Sequence, residues 1–125
     1  MLFKIASNKS NETTHESPMV ILQWNAQSMN AHGTEFYTKI IENKSRSDIP
    51  DIICIQESWF SDYHTLEIPD YISVIKNRRN SGRGGLVIYI HKSITFQEME
   101  TPLTEEYQRI DIFSLKKDCF INKFL

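Results

Sequence analysis

An α/β fold is predicted by three features of the amino-acid sequence. Two continuous apolar runs, Met19-Val20-Ile21-Leu22 and Ile52-Ile53-Cys54-Ile55, have the length and unbroken apolarity of strands buried on both faces. Between them lies one segment with helical spacing of its apolar residues. The composition, 40% hydrophobic and 24% charged, is that of an ordinary globular protein. At 125 residues the chain fits one domain, and at that size roughly two thirds of the unfolded surface can be buried.

The elements follow in order. Residues 1–18 are polar after the first few positions and have no pattern, so a disordered tail is expected there, with the domain occupying 19–125. The first apolar run ends in Gln23-Trp24-Asn25 and predicts a strand, followed by a polar stretch from Ala26 to Gly33. From Thr34 to about Lys44, Phe36, Tyr37, Ile40 and Ile41 recur at helical spacing, with Thr34 as N-cap and Glu35 in the first turn. Ser47-Asp48-Ile49-Pro50-Asp51 stops that helix. The second double-sided strand, Ile52 to Ile55, ends in Gln56-Glu57. Tyr71 to Ile75 and Leu86 to Ile90, separated by the turn-rich Asn80-Ser81-Gly82-Arg83-Gly84-Gly85, predict a hairpin. A last strand is expected from Ile110 to Leu115.

Composition also excludes function classes. Fourteen basic and sixteen acidic side chains give a net charge of −2, so any contact with a polyanion must be local rather than a general basic coat. Cys54 lies in an apolar run and reads as core, and Cys119 has no partner at disulfide or zinc spacing. Without a signal-like or membrane-length apolar segment, an intracellular, nuclear or cytoplasmic setting and no membrane partner are expected. Gly82-Arg83-Gly84-Gly85 lacks the Lys-Ser/Thr of a phosphate-binding loop and reads as turn chemistry.

Chemistry is expected at one place. Strands joined by a crossover helix run parallel, which brings Asn25 and Gln56-Glu57 to the same carboxyl-terminal edge of a sheet. A carboxamide and a carboxylate there are oxygen donors of the kind Mg²⁺ accepts, since that ion usually takes one or two carboxylates and keeps several waters. Polar residues ending strands for structural reasons alone are the competing interpretation. Lys76, Arg78, Arg79, Arg83 and Lys92 gather around the predicted hairpin, where they either contact phosphates or are simply solvated. Trp59 and Phe60 are candidates for base stacking or for core. His15, His32 and His91 read as surface, and Ser61-Asp62-Tyr63-His64 is a weak imitation of a catalytic set.

Three ordered blocks resemble the opening of endonuclease/exonuclease/phosphatase domains: Ile21-Leu22-Gln23-Trp24-Asn25-Ala26-Gln27-Ser28, then Pro50-Asp51-Ile52-Ile53-Cys54-Ile55-Gln56-Glu57-Ser58-Trp59, then Gly82-Arg83-Gly84-Gly85-Leu86-Val87-Ile88-Tyr89-Ile90. The likeness is greatest to the endonucleases of non-LTR retrotransposons. It implies part of a four-layer α/β/β/α sandwich, here expected as one sheet with a flanking helix. It also implies a Mg²⁺-dependent (or Mn²⁺-dependent) hydrolysis of DNA phosphodiester bonds. In-line attack of water on phosphorus is assisted in such domains by a metal and by a histidine oriented by an aspartate.

Carried over by position, the resemblance makes Asn25 and Glu57 the catalytic and metal-holding residues, with Arg79 and Arg83 as candidate nucleic-acid contacts. The family's later tyrosine, Asp-x-Asn pair and Ser-Asp-His have no counterpart after Leu115, so the chain is expected to be a truncated and inactive fragment. Two alternatives stand beside this. One is a non-catalytic remnant or weak binding module that self-associates through an uncovered sheet face. The other is a phosphatase or sphingomyelinase type of the same superfamily.

Overall fold

A computed structural model describes residues 2–7, 19–61, 63–77, 84–100 and 107–113. Among these residues, seven strands and one helix succeed one another as β1 (Leu2–Ser7), β2 (Ile21–Asn25), α1 (Met29–Ile40), β3 (Ile52–Gln56), β4 (Tyr71–Lys76), β5 (Leu86–His91), β6 (Phe96–Met99) and β7 (Tyr107–Ile112), with a short 3₁₀ turn at Arg46–Asp48 before β3. They form a four-stranded sheet in the order β2-β3-β5-β4 and a three-stranded sheet in the order β1-β7-β6. The mixed α/β class is as the sequence predicts.

The double-sided strands behave as their apolarity requires. All five residues of β3 are buried, because one face packs on the helix and the other on the second sheet. Toward the helix, Ile53 and Ile55 join Val87 and Tyr89 of β5 against Met29 and Phe36. On the opposite face, Ile52, Cys54, Leu86, Ile88 and Ile90 meet Ile110 and Ile112 of β7. Each such isoleucine contributes about 1.5–3 kcal/mol relative to exposure. Burial also pushes the Cys54 thiol far above its ordinary pKa, so it remains a small protonated core side chain.

The crossover expectation holds, with β2 parallel to β3 through α1. The predicted hairpin is likewise present as antiparallel β4 and β5. Cys54 is fully buried, as expected, and Phe60 belongs to the helix-side core rather than to any stacking surface.

Four expectations need correction. The helix begins at Met29 rather than Thr34 and ends at Ile40, and its N-cap is Ser28, whose Oγ accepts from the Ala31 amide at 3.2 Å. Its buried positions are Met29, Gly33 and Phe36. Gly33 therefore belongs to the packed stripe, since a Cβ there would collide with Leu66 Cδ2. Secondly, the stretch expected to be tail contains β1, which pairs in parallel with β7 from Leu2 opposite Tyr107 to Ser7 opposite Ile112; residues 8–18 lie outside the described residues.

Thirdly, the described residues form two sheets rather than one. The inner face expected to be bare is covered by Ile110, Ile112 and Phe96, which removes the stated reason for self-association through that face. The last strand starts at Tyr107 because Gln108, 3% exposed, extends it inward and donates from Nε2 to the Val74 carbonyl at 2.6 Å. Finally, His91 is buried rather than on the surface, edge-on to the Tyr71 ring at 5.3 Å and hydrogen-bonded through Nδ1 to Ser93 Oγ at 2.8 Å. No helix among the described residues is long and apolar enough to cross a membrane.

Candidate metal and phosphate site

The strand registers place four residues in one row across the end of the larger sheet. Asn25 is opposite Gln56, Gln56 opposite Leu86, and Leu86 opposite Lys76. Neighbouring strands lie about 4.8 Å apart, so Asn25 and Gln56-Glu57 occupy one rim. The structure thus brings together the two residues that sequence reasoning singled out.

Local backbone conformation sets Glu57 apart from an ordinary strand end. Glu57 has φ 52°, Trp59 φ 54°, Gln27 φ 46° and Ser28 φ 92°. With Gly84 and Gly85, at φ 74° and 83°, six of the eight described residues with positive φ are at this rim. For a non-glycine residue such a conformation costs on the order of 1–3 kcal/mol and persists only where surroundings enforce it.

Those surroundings are a double clamp. On the helix side, the amides of Ala26, Ser28 and Met29 donate to the carbonyls of Gln56, Glu57 and Ser58 at 2.9, 3.0 and 2.9 Å. From the other side, the amides of Ser58 and Trp59 donate to the carbonyls of Gly85 and Gly84 at 3.4 and 2.9 Å. Every peptide around Glu57 is thereby tied to β2, to the start of α1 or to the start of β5.

Polar atoms at the rim are left unsatisfied. Asn25 Oδ1 and Ser58 Oγ are buried without a hydrogen-bond partner. An orphaned carboxamide oxygen at the same rim as a partly exposed glutamate is a chemically apt fit for a hard cation, which needs oxygen ligands and keeps water in its remaining positions. Asn25 and Glu57 are the residues that could hold one. Among the described residues no group of three or more His, Cys, Asp or Glu side chains could enclose a metal ion, so the pair is a partial, open set.

Of the other candidates, Lys76 and Trp59 are at this rim. Arg79 and Arg83 lie outside the described residues, as do Arg78, His15 and Asp62. Lys92 is not at the rim: it follows His91 at the far end of β5 and pairs with Asp70 at 2.7 Å. His91 is itself about 17 Å along the strand from Leu86. Ser61 Oγ is taken up locally, accepting from the amides of Tyr63 and His64 at 3.3 and 3.1 Å. His32 lines a groove of about 280 Å³ with Trp24 and Phe36, whose rings stack at 4.9 Å.

Sequence reasoning missed Ser58 and the structural part played by Gly84-Gly85. A signal was present: two glycines directly before an apolar strand announce a backbone that another chain segment must approach closely.

The comparisons with known proteins bear on the chain as a whole. A sequence model described as the Endonuclease/Exonuclease/phosphatase family matches residues 22–116. No curated protein matches significantly. Among solved structures, a variant of the 3′ phosphatase NExo from Neisseria, bound to a product DNA hairpin, is 19% identical with a TM-score of 0.44, over 65% of this chain and 32% of that one. The matched part of this chain thus spans about a third of that enzyme's length.

Proposed function

Because the chain belongs to the endonuclease/exonuclease/phosphatase family, we propose that it is the N-terminal part of a Mg²⁺-dependent DNA endonuclease domain of the retrotransposon type, with Asn25 and Glu57 as its metal-holding and phosphate-positioning residues. The observation that carries this is the rim itself. It has an amide oxygen with no partner, on Asn25, and a glutamate whose backbone is held left-handed, Glu57, at the carboxyl end of two parallel strands.

Glu57 supplies the negative charge and Asn25 Oδ1 a neutral ligand, and Mn²⁺ satisfies the same oxygen set. A divalent ion held there would stabilise negative charge on phosphate oxygens. The described residues of this chain bind and orient, and among them none completes a proton relay at the rim. Among the described histidines, His91 is at the opposite end of its strand, His64 is exposed beside Ser61 and His32 is in the groove beside α1. Loss of a general base alone commonly costs about 10²–10⁴-fold in rate. The retrotransposon assignment rests on the three sequence blocks quoted above, and DNA as substrate rests on it in turn.

The chain as given is therefore expected to bind Mg²⁺ in a Glu57-dependent manner, by calorimetric titration, while leaving supercoiled plasmid intact. Binding unchanged in Glu57→Gln would refute the metal role, and Mg²⁺-dependent nicking abolished by Glu57→Ala would refute inactivity.

A further inference from the structure

We propose that Gly85 is a positioning residue for the Glu57 carboxylate, an inference that rests on the metal-holding role given to Glu57 above. A strand end that carries a functional side chain in a left-handed conformation must be held there by something other than its own preference. On the β5 side, the holders of this turn are two backbone carbonyls, those of Gly84 and Gly85, which accept from the amides of Trp59 and Ser58. They reach those amides because nothing projects from position 85.

A Cβ built on Gly85 would lie 3.0 Å from Ser58 Oγ, 3.3 Å from the Lys76 carbonyl oxygen and 3.6 Å from Asn77 Cα. The Lys76 carbonyl belongs to the neighbouring strand end and cannot swing aside, while Asn77 Cα is at ordinary contact distance. Gly85 also has φ 83°, which an L-residue rarely adopts. Any side chain must therefore push β5 away from the Gln56–Trp59 turn or rotate the peptide whose carbonyl holds Ser58. Either movement loosens the turn around Glu57 on its β5 side, leaving the bonds from the Ala26, Ser28 and Met29 amides in place.

Gly33 provides the control. Its Cβ would also collide, but with flexible side-chain ends, Leu66 Cδ2 and, at 3.2 Å, Met29 Cε, so an alanine there perturbs packing and meets no backbone atom of the turn. Mn²⁺ binding, read as loss of the free-ion signal in electron paramagnetic resonance, should be roughly tenfold or more weaker in Gly85→Ala than in the unaltered chain, and unchanged in Gly33→Ala. Equal binding by Gly85→Ala and the unaltered chain overturns the positioning role while leaving Glu57 as ligand. Absence of Mn²⁺ binding by the unaltered chain overturns the metal site and this inference with it. A readout independent of variant folding comes from titrating the unaltered, ¹⁵N-labelled chain with Mg²⁺. The Ser58 and Trp59 amide signals should shift with the same midpoint as that of Glu57, and stationary Ser58 and Trp59 signals contradict the proposal.

Discussion

The two ends of the four-stranded sheet are built on opposite principles. At the end where β3 begins, nearly every polar group has a partner. Asp51 accepts from the Val20 amide and from Arg46, each at 2.7 Å, Arg46 also reaches Ser93 at 3.1 Å, and the Tyr71 hydroxyl donates to the Pro50 carbonyl at 2.6 Å. At the end where β3 finishes, Asn25 Oδ1 and Ser58 Oγ are buried without partners, and four non-glycine residues have positive φ. One end holds the strands in register. The other carries the unsatisfied groups and most of the positive-φ residues, Asp70 being the one beside the opposite strand ends, and it is where a ligand would restore what is missing.

That contrast can be broken most severely at the satisfied end. Asp51→Ala removes the acceptor for a backbone amide and for a guanidinium, and should cost about 2–3 kcal/mol in denaturant unfolding. The figure lies below that for a fully buried pair because the Arg46 side chain is 41% exposed. Mg²⁺ binding should survive this change wherever the protein remains folded. A loss below about 1 kcal/mol would mean that the network does not secure the strand register.

The unsatisfied end should respond the other way. Ser58→Ala deletes a buried hydroxyl that has no partner, so thermal unfolding should show unchanged or slightly raised stability. A loss of more than about 1 kcal/mol would show that the hydroxyl is satisfied in solution.

A smaller effect distinguishes the ends by pH. Burial, then the Arg46 charge, holds the His91 pKa below its ordinary 6.5, with Lys92 acting in the same direction and Asp70 and Asp51 opposing. Since the unfolded chain takes up the proton first, stability should be full above pH 6.5 and decline as pH falls from there toward the depressed folded-state value. His91→Gln should flatten that slope in unfolding curves. A slope that persists would assign it to another group. Least of all, Lys92→Ala, which breaks the exposed pair with Asp70, should leave the melting temperature unmoved.

Much of this was legible in the sequence, for physical reasons that differ from one element to the next. β3 and β5 were plain because a strand between two apolar layers must be apolar throughout, and Ile52 to Ile55 and Leu86 to Ile90 are. The helix start was hidden because Gly33 reads as a breaker, although it is there to let Leu66 pack against α1. The second sheet was harder still. β6 is four residues with Gln97 and Glu98 in the middle, and β1 depends on a partner about a hundred positions away in the sequence, so neither shows periodicity of its own.

In the candidate site, Asn25 and Glu57 were visible as strand ends, because a crossover helix dictates which ends coincide. The clamp was not visible, since hydrogen bonds from one backbone to another leave no mark on residue type except the absence of a side chain at Gly84 and Gly85. Arg79 and Arg83 lie outside the described residues.

The central claim is most directly tested by crystallising the chain with Mn²⁺ and collecting anomalous diffraction at the manganese edge. A peak roughly 2–2.5 Å from both Asn25 Oδ1 and a Glu57 carboxylate oxygen is the predicted result. A fully loaded crystal with its only manganese at Asp70 or Glu67, and none between Asn25 and Glu57, would contradict it.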